Sequence, residues 1–230
     1  MSREAFQQEL QQLVDEVVQL GADVEQSLAY MVEGLESYDA DVAEKVVGVD
    51  ALYKARGAEL DQECMILQAR QAPVAGDLRL IYTIQALNNH LVRAGTLTEH
   101  ICQAITETTE CERDEELSET LLEMARTAKN LFHRGMEIFK ARDAESARNL
   151  QAADDKVDLL YSEAINLIAN PSDGGGGDPE WRMRAALMVH YLERIGDHGV
   201  SIGGRTVFLV TGERIESAMQ QYLNRDIEEE

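Results

Sequence analysis

The sequence predicts an all-α protein of two tandem three-helix bundles, and three observations lead to this fold class. Apolar residues recur at helical spacing along nearly the whole chain. Only 5% of the 230 residues are aromatic while 44% are hydrophobic, a composition that suits packing between helices better than packing between sheets. The chain also contains an internal repeat, which divides the helices into two groups of three.

Six long helices are predicted, and their ends carry ordinary start and stop signals. Asp39 and Asp143 are candidate N-caps of the second and fifth helices. Pro73 and Pro179 suit the first positions of the third and sixth helices, and Gly212 suits the end of the sixth. The helices are expected at residues 2–35, 41–69, 73–106, 118–141, 144–169 and 179–211.

The two groups of helices are the predicted domains, at residues 1–110 and 111–216, followed by an acidic tail at 217–230. An acidic linker near residues 107–117 separates them, and a loop at 172–178 contains four consecutive glycines. A phosphate-binding P-loop would need a preceding strand and a following Lys and Ser or Thr. Neither is visible, so the glycines indicate a flexible connection.

Two shifts of the sequence align the copies of the repeat. A shift of 104 residues places Asp39–Ala43 on Asp143–Ala147, and a shift of 101 residues places Leu91–Thr96 on Leu192–Asp197. Each third helix carries an apolar seam with the four-three spacing of a bundle helix. We therefore expect two bundles with a pseudo-twofold relation, packed side by side. The seam positions are 80, 84, 87, 91, 94, 98, 101 and 105, then 181, 185, 188, 192, 195, 199 and 202.

The formal charge of −22 argues against general DNA or RNA binding, because 43 acidic against 21 basic residues repel a polyphosphate backbone. The longest apolar runs, such as Val207–Val210, are far shorter than the roughly 18 to 20 residues of a membrane span. Neither a basic leader nor an apolar signal core follows Met1, so a cytoplasmic protein is expected. Three cysteines without C-x-x-C spacing predict reduced thiols, with Cys64 and Cys102 in the core.

The second copy contains two carboxylate pairs that predict a metal site. Asp154 and Asp158 lie one turn apart on the fifth helix, and Glu193 and Asp197 lie one turn apart on the sixth. All four stand beside the apolar seam, so they are expected to face the groove between the two helices. Their charges repel one another, and a cation would remove that cost. Ligation by carboxylates alone suits hard ions such as Mg, Mn, Ca or oxidised Fe.

Other interpretations of these acids stay open. In a chain with 43 acidic residues, one pair at this spacing is usually a solvated helix face, whereas two pairs at equivalent depth favour a ligand role. His190 and His198 could add nitrogen ligands, although a His at a helix edge is more often a surface residue. The alternative function is a metal-free helical adaptor whose acidic groove binds a basic partner surface.

The first copy has lost most of the carboxylates. Its aligned positions hold Asp50, Lys54, Val92 and Thr96, so three of the four acids are missing. Lys54 places a fixed cation where the second copy has Asp158. We therefore expect one metal site per chain, in the second repeat only.

Three segments resemble the PhoU-type phosphate-regulatory proteins, and the resemblance extends over nearly the whole chain. The segments are Gln71–Arg79 before the third helix, Leu192–His198 within the sixth and Phe208–Gly212 at its end. The resemblance implies a tandem three-helix-bundle fold. It also marks the four carboxylates of the second copy as metal ligands, while the corresponding motifs of the first copy are degenerate.

The same resemblance implies a function, namely negative regulation of phosphate uptake and phosphate homeostasis when phosphate is plentiful. Such an adaptor acts at the inner membrane surface through the ATPase of a phosphate ABC transporter and, in bacteria, a sensor kinase, often as a homodimer. It is peripheral to the membrane at most, and it is not an enzyme. The residues agree on the last point, because no Ser-His-Asp, H-E-x-x-H, Glu-x-x-His or kinase Gly-rich pattern occurs.

Overall fold

A computed structural model describes residues 3–150, 155–171 and 177–213 of the chain. All regular structure in these ranges is helical, which confirms the predicted all-α class. The predicted tail at 217–230 and most of the Gly-rich loop lie outside the described residues. The helices are α1 (Arg3–Ser37), α2 (Ala40–Glu44), α3 (Val49–Gln71), α4 (Ala75–Glu107), α5 (Glu115–Ala141), α6 (Ala144–Leu150), α7 (Asp155–Ala169) and α8 (Pro179–Thr211).

The second predicted helix is not continuous, because a turn at residues 45–48 separates α2 from α3. The N–H groups of Lys45, Val46 and Val47 bond to carbonyls three residues back, and Gly48 adopts the left-handed conformation at φ 92°. The turn buries Val46 completely. The fifth predicted helix corresponds to α6 and α7, and the residues between these two lie outside the described ranges.

Most of the predicted helix ends are confirmed. The carboxylate of Asp39 accepts the N–H of Asp41 at 2.9 Å, Pro179 opens α8, and Gly212 ends it at φ 75°. Pro73 does not stand at a first helical position. Val74 after it is extended, with φ −127° and ψ 159°, so α4 begins at Ala75 with an N-cap that offers no side-chain acceptor.

Each repeat buries the predicted seam of its third helix, and every seam position named above is a buried residue of α4 or α8. In the first bundle α1, α3 and α4 pack together, and in the second α5, α7 and α8 do so. Cys64 and Cys102 are fully buried, as predicted. None of the helices in the described ranges is long and apolar enough to cross a membrane.

The two bundles meet along two pairs of helices, α4 with α8 and α1 with α5. The α4–α8 pair is antiparallel, because Tyr82 contacts Phe208 while His90, farther along α4, contacts His198, which is nearer the start of α8. The predicted side-by-side arrangement of two equivalent bundles is therefore confirmed. One hydrophobic core runs through both.

Candidate carboxylate site

Helices α7 and α8 position the three predicted ligands that the structure describes. Asp158 lies in the first turn of α7, and Glu193 and Asp197 lie one turn apart on α8. Their sequence neighbours Val157 and Leu192 are fully buried between the helices. Asp158 and Asp197 are exposed and Glu193 is half-buried, so water reaches all three carboxylates.

The electrostatics of Asp197 show that these carboxylates affect one another. Its pKa is raised from 3.8 to about 6, first because the surrounding protein partly desolvates the carboxyl and then because of the negative charges of Glu193 and Asp158. Arg194 and His190 act in the opposite direction without cancelling the effect. Asp197 therefore holds its proton more tightly than an ordinary aspartate does. The same negative charges would attract a cation.

The donor chemistry of Asp158, Glu193 and Asp197 suits a hard cation, since all three supply carboxylate oxygen. Among the described residues, however, no three His, Cys, Asp or Glu side chains are close enough together to hold a metal ion. Asp154, the fourth predicted ligand, lies outside the described residues. Asp158 also has a structural use, because an acid in the first turn interacts favourably with the helix dipole.

The two histidines of α8 are placed differently. His190 lies beside the carboxylates, with its Nδ1 3.8 Å from Oε2 of Glu193. His198 lies between the repeats, where its Nδ1 is 3.2 Å from Nδ1 of His90. Burial, then the neighbouring His90, Arg194 and Arg93, lower the pKa of His198 to about 4. His198 is therefore neutral near pH 7.

The equivalent position in the first repeat contains an internal ion pair. Lys54 Nζ lies 2.5 Å from Oδ2 of Asp50, and the hydroxyl of Thr96 donates to Oδ1 of the same carboxylate. Partial desolvation opposes these bonds, but the hydrogen bonds of Lys54 and Thr96 prevail and lower the pKa of Asp50. A lysine ammonium thus stands at the position that aligns with Asp158 of the second repeat.

Glu99 is a member of the first-repeat group that the sequence did not predict. It is buried on α4, and its Oε2 accepts the backbone N–H of Asp50 at 2.6 Å, while Oε1 accepts from the side-chain amide of Gln103 at 2.9 Å. This carboxylate therefore satisfies a donor in the first turn of α3. Its only signal in the sequence was a charge directly beside the seam position Thr98.

The fold is that of a tandem helical-bundle protein, and its second bundle carries the carboxylates of Asp158, Glu193 and Asp197. The PhoU domain matches this chain twice, at residues 17–105 and 121–206, which together are well over half of its length. The chain therefore belongs to the PhoU family, as the sequence motifs indicated.

Curated relatives agree with this membership. A phosphate-specific transport system accessory protein PhoU homolog of Clostridium acetobutylicum is 26% identical over 217 residues, covering 94% of this chain and 99% of that protein. PhoU homolog 1 of Methanothermobacter thermautotrophicus, also named an accessory protein, is 30% identical over 183 residues, covering 80% and 84%. These are accessory proteins rather than enzymes, so membership confirms that the chain is not an enzyme.

Solved structures show the same fold. PhoU from Pseudomonas aeruginosa superimposes with a TM-score of 0.83 at 23% identity, covering 90% of this chain and 100% of that one. The phosphate transport system regulatory protein PhoU from Streptococcus pneumoniae gives 0.81 at 24% identity, covering 90% and 98%.

Proposed function

We propose that this protein is a negative regulator of phosphate uptake and homeostasis that works as a cytoplasmic helical adaptor. The observation that carries the proposal is the match of the PhoU domain to both repeats, in a chain that covers 99% of a relative named for phosphate-specific transport. The partners we propose are the ATPase of a phosphate ABC transporter and a sensor kinase, and the active form is a homodimer.

We propose that the acidic residues of the second repeat bind a metal ion that takes part in regulation. Asp154, Asp158, Glu193 and Asp197 would hold one hard cation, such as Mg, Mn, Ca or Fe. The cation would neutralise the negative charges that, after desolvation, contribute to the raised pKa of Asp197. The first repeat would hold none, because Lys54 supplies a cation of its own to Asp50. Supporting this proposal are the all-oxygen donor set and the mutual repulsion of its members.

Deleting the gene tests the regulatory role. The deletion strain is expected to take up phosphate without restraint in phosphate-rich medium, and the wild-type gene on a plasmid should restore repression. Normal repression in a deletion strain without a second PhoU-like gene would end the proposal.

Metal analysis of the protein purified without chelator tests the site. We expect one site per chain in the wild type, near-complete loss of metal in Asp197→Asn, and no loss in Glu163→Gln, which removes an exposed acid from α7. Equal occupancy of the two repeats would contradict the proposed asymmetry. Unchanged metal content and thermal stability in Asp197→Asn would refute its ligand role.

A second candidate is a metal-free adaptor whose acidic groove binds a basic partner surface. It is favoured by the absence, within the described residues, of three side chains close enough to hold a metal. Reconstitution with the transporter ATPase under EDTA separates the two candidates. The metal-free adaptor should bind unchanged and lose affinity in Asp197→Asn, whereas a metal-dependent adaptor should already release the ATPase with EDTA.

A further inference from the structure

A cleft of about 440 Å³ opens where the ends of the two repeats meet, roughly three turns along α8 from Asp197. Its walls are the first turns of α1, the start of α4, the end of α5 and the last turn of α8. Two of the three segments that carry the family resemblance, Gln71–Arg79 and Phe208–Gly212, contribute to this cleft. Neither segment takes part in the carboxylate site.

Two arginines from different repeats line the cleft. Arg79 belongs to the second turn of α4, and Arg142 is the C-cap of α5. Within the described ranges, neither has a carboxylate partner within ion-pair distance. To the residues that the structure describes, Arg79 makes one hydrogen bond, a long one of 3.4 Å from Nε to the carbonyl of Leu209. Both terminal nitrogens therefore remain available. Two such guanidinium groups are notable in a chain of net charge −22.

The start of α4 adds donors to the same cleft. Its N-cap, Val74, has no side-chain acceptor, so the first N–H groups of α4 receive no cap from it. Gly76 lines the cleft, and a Cβ there would meet nothing within 4 Å, so a ligand can approach this backbone closely. The positive end of the helix dipole therefore lies beside Arg79.

The ligand that suits these donors is a small anion. Arginine forks bind phosphate oxygens in pairs, and the side chains of Gln7 and Gln11 on the α1 wall can donate further hydrogen bonds. Among the lining residues that the structure describes, Asp77 is the one acid, and it reduces the net charge of their side chains to one positive. This carboxylate opposes anion binding and sets an upper limit on the affinity.

We propose that the cleft between the repeats binds a phosphate group through Arg79, Arg142 and the start of α4. A phosphate group bound there would join residues of both bundles, so its occupancy would couple the two repeats. Free inorganic phosphate and the phosphate groups of a nucleotide share the required chemistry.

Calorimetric titration of the whole protein at constant ionic strength tests this proposal. Inorganic phosphate and ATP are titrated separately into the wild type, with chloride as the reference anion. Saturable binding of either is expected, at one site per chain, and the tighter ligand identifies the source of the phosphate group. Absence of saturable binding of both would overturn the proposal.

Variants locate the site. Arg142→Gln should weaken binding about tenfold or more, since charge-assisted hydrogen bonds are lost, and Arg142→Lys should fall between this variant and the wild type. Arg134→Gln is the matched control, because Arg134 is an exposed arginine of the same helix outside the cleft. Equal weakening by Arg134→Gln, or none by Arg142→Gln, would refute the assignment.

Arg79→Gln is the second cleft variant, with its fold checked by circular dichroism because Arg79 also contacts the last turn of α8. It should weaken binding without loss of helicity. All these measurements use the purified protein, so their failure leaves the regulatory proposal intact. Conversely, normal repression in a deletion strain would leave the binding result untouched.

Discussion

The two repeats have the same fold, but they differ in the environment of their carboxylates. In the first repeat the carboxylate of Asp50 is paired with Lys54 and Thr96, and its pKa is lowered. In the second, partial desolvation and then the negative charges of Glu193 and Asp158 raise the pKa of Asp197 to about 6. The first repeat neutralises Asp50 with its own lysine. In the second repeat, the negative charges around Asp197 outweigh the positive ones.

This contrast shows that duplication of a fold does not entail the same charged groups in both copies. Helix packing depends on the apolar seam, which both repeats retain. A cation site depends on a few exposed carboxylates that contribute little to packing. The carboxylates can therefore be exchanged in one copy while the seam is kept in both.

The largest expected difference in stability between variants of the two repeats concerns packing between the helices. A Cβ on Gly199 would lie 2.6 Å from the backbone nitrogen of Phe132, so α8 and α5 touch through their backbones. We expect Gly199→Ala to reduce the free energy of unfolding by about 3 kcal/mol, because backbone cannot move aside cheaply. Thr98→Val, at the aligned position of the first repeat, should cost about 1 kcal/mol for its lost bond to Ala94.

Urea unfolding measures both costs. Gly204→Ala is the matched control on α8, because a Cβ there meets nothing within 4 Å, and it should be neutral or slightly stabilising. If Gly199→Ala were no worse than Gly204→Ala, the second repeat would not be the more closely packed half at this point.

The pH dependence of stability should differ in sign between the repeats. Folded Asp197 holds its proton to about pH 6, so its contribution to stability falls as the pH rises from about 4 to 6 and stays low above. Asp197→Asn should therefore raise the melting temperature by a few degrees at pH 7.5 in EDTA, and by less at pH 5.

Asp50 should behave in the opposite way. Its lowered pKa stabilises the folded protein above the ordinary range of a carboxyl, and this contribution is lost as the pH falls through the folded pKa. Asp50→Asn should accordingly lower the melting temperature at pH 7.5. If the melting temperature shifted in the same direction in Asp197→Asn and Asp50→Asn, the proposed electrostatic difference between the repeats would be wrong.

The smallest expected effect concerns the lysine alone. Lys54→Gln should lower the free energy of unfolding by about 0.5 kcal/mol and raise the pKa of Asp50. The effect on stability is small because the side chain of Lys54 is 58% exposed and that of Asp50 is 22% exposed. Lys156→Gln is the matched control, since Lys156 is equally exposed and pairs at the same 2.5 Å with the more exposed Glu123. Carboxyl titration by NMR measures the pKa. An unchanged pKa of Asp50 in Lys54→Gln would show that Lys54 does not take the place of a bound cation.

Much of the fold could be predicted because it depends on local spacing. The four-three seam placed α4 and α8, and Asp39 and Gly212 marked helix ends through chemistry within a few residues. The turn before α3 was missed because one glycine, Gly48, is a weak break signal in an otherwise helical stretch. Pro73 was placed too close to α4, since a proline limits a helix start without fixing its position.

The candidate sites were predictable only in part. Helical spacing could place Glu193 and Asp197 on one face of α8, and Asp158 is near enough to affect the pKa of Asp197, but the three side chains are not close enough together to hold a metal ion. The role of Glu99 required knowing that the start of α3 packs against it, and one more acid in an acidic chain gives no such signal. The cleft with Arg79 required the meeting of two repeats, which no local pattern encodes.

The antiparallel α4–α8 pair has the geometry of a symmetric dimer interface enclosed in one chain. Because the two halves are covalently joined, dilution cannot separate them, and their mutual stabilisation does not depend on protein concentration. In a dimer of identical single repeats, any substitution would appear on both sides of the axis. The tandem chain is free of that constraint, so one half can carry Lys54 while the other carries Asp158 at the aligned position.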